Sequence, residues 1–191
     1  MAKLYDKTKG SALGSGKIMP PASLLDQALL GTLARYRRSV ASGYSPIGLV
    51  ELSSVFAAAG KGEVFLSEKL DGELWFLVLQ GKEAFLANSR GRVIHGKLPF
   101  LNEAQDIAKK TGDRLAIFAG ELYATSAAGK DRPRAADLAA ALAGGKSQAG
   151  HLYFAVFDIV ELHTEDEDLT TYGAKLEKLT GMFGEGEHLA I

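Results

Sequence analysis

The chain contains no cysteine, which excludes a disulfide scaffold, a thiolate metal centre and a thiol nucleophile. It also lacks an excess of charge of either sign. Its 22 basic and 23 acidic side chains leave a formal net charge of −1. No global positive field is available to hold a polyanion, so any contact with nucleic acid has to be local. No apolar run reaches the roughly 18 residues that a membrane span needs. The N-terminal stretch MAKLYDKTKGSALGSGK is basic but has no apolar signal-peptide core. The expectation is a protein with no membrane partner and a cytoplasmic location. Its oligomeric state is not legible. What the chain does have is apolar content, 47% of 191 residues. That suffices for one domain with a sizeable core, or one domain plus an appendage.

The periodicity changes near residue 63. Residues 1–17 are rich in Gly, Ser and Lys and read as a loose arm. Pro20-Pro21-Ala22-Ser23 opens a helix pattern, with Leu25, Ala28, Leu29, Leu33 and Tyr36 at spacings of three and four. Arg35, Arg37 and Arg38 fall in its last turns, where cations suit the helix dipole. A second short helix is expected over 47–59, ending at Gly60. From Glu63 the pattern becomes period two: VFLSEKL, ELWFLVLQ and EAFLANS predict three strands, with Gln80-Gly81-Lys82 turning between the last two. LNEAQDIAKK (101–110) predicts a helix closed by Gly112, and RLAIFAGELYA a buried strand. An Ala-rich helix over 134–143, the apolar strand HLYFAVFDIVEL and a last helix over 172–180 complete the series. Locally paired strands with interspersed helices imply an α+β fold with a mainly antiparallel sheet and flanking helices. The expected division is 1–62, an N-terminal arm with helices, and 63–191, the main domain.

Two stretches imitate a phosphate-binding P-loop and are set aside on context. Gly16-Lys17 lacks the first glycine and is followed by Ile18. Gly145-Lys146-Ser147 has Ala140 where the first glycine belongs, and lies between a helix and a strand in the inverted order. His95, His151, His163 and His188 are scattered without metal-ligand spacing. The acidic run TEDED (Thr164 to Asp168) reads as a solvated turn.

Four further stretches carry chemistry in sequence order. Lys69-Leu70-Asp71-Gly72 joins two strand patterns, with Lys69, Asp71 and Glu73 on alternate positions that would share one strand face. Ser89-Arg90-Gly91-Arg92 follows the third strand. Gly120-Glu121 puts an acid inside an apolar strand. Phe154, Phe157 and Asp158 stand in YFAVFDIVEL. Singly, they read as a solvated face or turn, a basic turn, an edge carboxylate and a core aromatic.

Together, K-x-D-G, S-R-x-G, a strand bearing G-E and a strand ending F-D-I resemble the adenylation domain of ATP-dependent DNA ligases and their covalent nucleotidyltransferase relatives. Lys97-Leu98-Pro99-Phe100-Leu101-Asn102-Glu103-Ala104 is similar to that family's segment after the S-R motif. Asp168-Leu169-Thr170 with Leu176-Glu177-Lys178-Leu179 is similar to the stretch after F-D-I. The resemblance covers residues 63–183.

The resemblance implies a ligase-type nucleotidyltransferase (ATP-grasp-like) fold, incomplete at its C-terminal side. It implies an enzyme that takes ATP and Mg²⁺, forms a lysyl-AMP intermediate and seals nicked double-stranded DNA in DNA repair, with RNA as the less favoured substrate. Lys69 matches the nucleophile. A lysine of ordinary pKa, about 10.4, is ammonium at neutral pH and needs desolvation or neighbouring cations to attack. The flanking VFL and LWFLVL runs are expected to bury it. Glu121 matches the strand carboxylate that contacts ribose or metal. Phe157 matches the aromatic that stacks on adenine, and Arg90 the arginine that reaches the ribose and later a 5′-phosphate. Glu68 and Leu70, flanking the lysine, fall at nucleotide-binding positions.

The sequence departs from the family in two ways. Leu74 stands where an arginine is usual, and the later E-G and lysine motifs and the OB-fold are missing; Gly184-Glu185-Gly186-Glu187 reads as a loop. The chain alone is therefore expected to adenylate itself weakly or not at all and not to seal nicks. An NAD-dependent ligase also carries K-L-D-G, but its R-G-D-G-x-x-G-E-D stretch is absent. The competing reading is a degenerate nucleotidyltransferase fold that binds a nucleotide or a protein without ligase activity.

Overall fold

The computed structural model describes residues 3–43, 48–60, 62, 64–111, 114–125, 132–143, 149–163, 168–184 and 186–191. The β-formers of ELWFLVLQ and AIFAGELYA make β3 (Glu73–Gln80) and β6 (Ala116–Ala124), which pair antiparallel over seven positions from Glu73↔Leu122 to Leu79↔Ala116. Around this pair lie β4 (Glu83–Ala87), β5 (Val93–Lys97) and β7 (Leu152–Leu162). Two N-terminal strands, β1 (Ser11–Leu13) and β2 (Ser15–Met19), and the short β8 (Leu189–Ala190) complete the sheet. The order is β1-β2-β5-β4-β3-β6-β7-β8. Every pairing is antiparallel except β7 with β8. The α+β class with a mainly antiparallel sheet is as expected.

Both sheet faces are covered, because the central strands carry apolar side chains on both. One face holds Trp75, Leu77, Leu86, Phe118, Leu122 and Phe154. It packs on α3 (Pro99–Thr111), α4 (Ala135–Ala143) and α5 (Tyr172–Phe183) through Phe100, Leu138 and Leu179. The other holds Phe76, Val78, Phe85 and Ile117, covered by Tyr5 and by Leu29 and Leu33 of α1 (Gln27–Gly43). The hydrophobic effect sets this arrangement; the buried aromatics alone include Trp75, Phe76, Phe85, Phe100, Phe118, Phe154 and Phe183.

β7 is irregular in a way that matters below. It skips register against β6 between Ile117 and Phe118 and between Ala119 and Gly120, so Val160 and Phe157 have no pairing partner. These are β-bulges, which bend a strand and re-aim side chains.

The structure differs from the sequence reading at several places. Residues 11–19 are not a loose arm but a hairpin, turned on Gly14 at φ +56°, that extends the sheet along β5. The glycines that suggested looseness serve close approach. A Cβ on Gly16 would strike the His95 carbonyl, and Gly96 opposite sits at φ +108°. β5 itself, short and glycine-interrupted, gave little period-two signal.

α1 starts at Gln27 rather than at the prolines, capped by the Asp26 carboxylate, which accepts from the Leu29 N–H at 3.0 Å. It runs past Arg35, Arg37 and Arg38, which therefore lie inside it. The preceding turn bends at Ala22 (φ +62°) and docks on Gly91, whose carbonyl accepts from Ser23 and Leu24.

VFLSEKL forms no strand. Residues 64–70 are irregular, and Leu66 is 81% exposed. Strand pairing begins only at Glu73, after Gly72, so the β-formers upstream have no partner to pair with. The helix Leu49–Ala59, α2, ends at Gly60 as expected, though none of its residues is buried.

Candidate active site

The antiparallel register of β3 and β6 decides which sequence motifs meet. It sets Leu74 opposite Glu121, so the K-x-D-G turn leads into the sheet beside the G-E strand. The Gly72 N–H donates to Glu121 Oε1 at 2.9 Å, across 49 residues of chain. Glycine is required there, since a Cβ would overlap the Leu122 carbonyl oxygen. Cross-strand neighbours share a face, so Glu121 lies on the α1 side of the sheet with Leu74. Phe157, one strand further on, packs on that same side, as does Leu74 itself.

Lys69 is not buried. Its side chain is 73% exposed, because the VFL run that was to enclose it is itself exposed. Its Nζ donates to Asp71 Oδ1 at 2.6 Å. That hydrogen bond and the Asp71 charge hold the amine above its ordinary range, with Glu121 adding in the same direction and Arg132 opposing. Asp71 is correspondingly held below the usual carboxylate range. Burial pushes the Glu121 carboxyl up, while the Gly72 N–H and Lys69 pull it back.

Arg132 was not singled out in the sequence, yet its Nη2 donates to the Lys69 carbonyl at 2.7 Å and lies 3.9 Å from Asp71 Oδ2. No spacing rule marked it, because it reaches Lys69 across 63 residues. Arg90, the expected arginine, is exposed. Its backbone is bound up in the turn, where its N–H donates to Asn88 Oδ1 and its carbonyl accepts from Ala22. Arg92 instead faces the motif. It stacks over Trp75 at 5.5 Å and approaches Glu73 Oε2 to 4.0 Å, while Glu73 accepts from Trp75 Nε1 at 2.9 Å. The two arginines differ by two positions, and only the turn geometry separates them.

Gly72, Glu73 and Arg92 line one wall of a cleft of about 470 Å³, with Leu138 and Leu142 of α4 opposite. This cleft lies on the α4 side of the sheet, away from Phe157. Glu68 is exposed, and its charge acts on Tyr123; Leu70 is half-buried.

Phe157 is held by its neighbour. Asp158 accepts from Tyr36 of α1 at 2.8 Å and from Lys175 of α5 at 2.8 Å, and its own Oδ1 also takes the Ile159 N–H. Burial, then the Asp158 bond, pushes the Tyr36 hydroxyl far above its usual range, so it stays a donor. One carboxylate thus ties helices from both faces to the bulged strand beside Phe157.

Among the described residues no three His, Asp or Glu side chains converge on a point that could hold a metal ion. Glu121 nonetheless has a donor chemistry that would suit a divalent cation. It is a half-buried carboxylate whose burial favours the neutral form unless a cation lies near, and Mg²⁺ typically takes one or two protein carboxylates plus phosphate oxygens. Of the other motifs set aside, Gly16-Lys17 lies within β2, and Gly145-Lys146-Ser147 and most of TEDED lie outside the described residues. His95 meets the Tyr5 ring at a tilt, centroids 5.2 Å apart; its Nε2 is buried without a hydrogen-bond partner, and burial holds its pKa down.

No known family's model matches the chain, and no curated protein matches it. Among the described residues no helix is long and apolar enough to cross a membrane.

Proposed function

We propose that this chain is the adenylation part of an ATP-dependent polynucleotide ligase, with Lys69 as the residue that takes up AMP. The observation that carries this reading is the Gly72–Glu121 hydrogen bond with the Leu74↔Glu121 register. Two motifs far apart in sequence become one unit around Lys69, and Phe157 stands on the same sheet face. In the reaction the Lys69 amine forms a bond to the α-phosphorus of ATP and the bond to pyrophosphate breaks. The ammonium must lose a proton first, and Asp71 Oδ1, at 2.6 Å, is within reach to receive it. Glu121 would hold Mg²⁺, which neutralises charge on the phosphates when bound. Phe157 offers a flat face for adenine. The DNA-ligase reaction, with DNA favoured over RNA, follows from the motif resemblance.

A non-catalytic nucleotide-binding module is the second reading. It is favoured by the exposed Lys69–Asp71 pair, which keeps the amine protonated. Incubation with α-labelled ATP and Mg²⁺ followed by a denaturing gel separates the two. The ligase reading expects weak or no covalent label, with any label on Lys69 and none in Lys69→Arg, since arginine stays protonated. Label retained in Lys69→Arg, or mapped to Lys82 or Lys97, rules it out.

A further inference from the structure

We propose that Arg132 is a phosphate-binding residue of this site, gripping the polyphosphate of the nucleotide that Lys69 attacks. The proposal rests on the nucleotidyltransferase reading and adds a residue that no motif supplies.

Arg132 stands three positions before the start of α4, and its guanidinium lies against the backbone of the nucleophile itself, on the Lys69 carbonyl. A guanidinium carries five N–H donors in a planar fork. One is spent on that carbonyl. Asp71, already bonded to Lys69 at 2.6 Å, is 3.9 Å from Arg132, too far for a full partner. The side chain is 58% exposed, which leaves solvent access to donors beyond the one on the Lys69 carbonyl. An exposed pair of this length contributes little to stability, whereas a fork held next to an attacking amine suits bidentate recognition of phosphate.

The neighbouring positions leave this role open. β3 offers Leu74 opposite Glu121. Arg92 is committed to Trp75 and Glu73, at the cleft on the other face.

The Asp71 and Glu121 charges favour the Lys69 ammonium, and the Arg132 charge opposes it. Arg132 would therefore ease deprotonation of the nucleophile as well as hold phosphate.

The test compares wild type, Arg132→Ala and Arg132→Lys in the full 191-residue chain. Calorimetry with ATP, inorganic tripolyphosphate and adenosine measures binding. The pH dependence of Lys69 acetylation, read by mass spectrometry, follows the amine. Arg132→Ala is expected to weaken ATP and tripolyphosphate about tenfold or more, the scale of a charge-assisted hydrogen bond, and to leave adenosine unchanged. Its Lys69 midpoint should move to higher pH. Arg132→Lys should restore the midpoint and part of the affinity.

Tripolyphosphate and ATP affinities within about twofold of wild type, with an unmoved midpoint, would overturn the proposal. If tripolyphosphate binding depends on Arg132 but label from α-labelled ATP is retained in Lys69→Arg or maps to another lysine, the phosphate site stands and the ligase reading falls. If wild type binds neither ATP nor tripolyphosphate, both fall.

Discussion

The carboxylate of Asp158 joins Tyr36 and Lys175, two residues on helices that cover opposite faces of the sheet, at 2.8 Å each. Lys175 and Asp158 are only 25% and 20% exposed, so the pair is largely out of solvent. Asp158→Ala leaves Tyr36 without its acceptor and Lys175 on the Ile159 carbonyl with its counter-charge gone, and should cost about 2–4 kcal/mol, since breaking a buried pair leaves an uncompensated charge. Tyr36→Phe removes one hydrogen bond and should cost about 1 kcal/mol. Urea unfolding measures both; equal small losses would mean that Lys175 finds another partner.

Asp71 raises the Lys69 amine, so removing its charge must lower it. In Asp71→Asn the midpoint for Lys69 modification is expected at lower pH than in wild type, closer to an ordinary lysine. Mass spectrometry of the acetylated peptide across a pH series reads this directly. A midpoint that stays or rises would show that Asp71 is not the dominant charge at the amine.

Glu121 makes a prediction with the opposite feel, a variant more stable than wild type. Burial sets its folded carboxyl above the unfolded value. The folded state therefore binds that proton more tightly, and the stability it brings is full below the unfolded pKa and lost as pH rises through the folded one. Glu121→Gln cannot ionise, yet keeps an oxygen for the Gly72 N–H. Its unfolding free energy should fall less between about pH 4 and neutrality, leaving it the more stable protein at neutral pH, and on the nucleotide reading it should also weaken any Mg²⁺-dependent ATP binding. A slope identical to wild type in urea titrations would remove burial as the cause.

Phe157 tests whether a half-buried aromatic is ligand wall or packing. Phe157→Ala should cost about 3 kcal/mol from lost contacts, and Phe157→Leu about 1 kcal/mol because volume is nearly kept. On the nucleotide reading both weaken ATP and adenosine and spare tripolyphosphate. A folded Phe157→Leu protein with unchanged adenosine affinity would assign the ring to packing alone.

Long periodic segments were legible: β3, β6, β7 and the helices α3 to α5 arise from patterns that local propensity and burial both favour. The hairpin at 11–19 was not, because glycine content signals looseness and close packing alike, and only the partner strand distinguishes Gly16 against Gly96 from a mobile arm. VFLSEKL shows the converse. Its β-formers Val64 and Phe65 favour a strand, yet pairing needs a neighbour, and the register of β3 on β6 ends at Glu73. The site followed the same logic. Lys69, Asp71 and Glu121 were named from motifs, and β pairing brought them together. The exposure of Lys69 and the reach of Arg132 depend on where segments distant in sequence come to rest, which no local pattern encodes.

The two bulges in β7 also set a rule for how this strand can change length. Its core-facing residues under α3 to α5 run Phe154, Val156, Ile159 and then the partly buried Leu162, so each bulge turns a step of two into a step of three. Deleting Phe157 or Val160 removes the extra residue of its bulge, so that step returns to two and the rest of the strand keeps its facing relative to β6. Each bulge can thus absorb the loss of one residue, whereas a third deletion finds no bulge left and turns part of the strand inside out. A deletion scan through 152–162 would expose this as folded products when Phe157, Val160 or both are removed, and unfolded products once a third residue is lost.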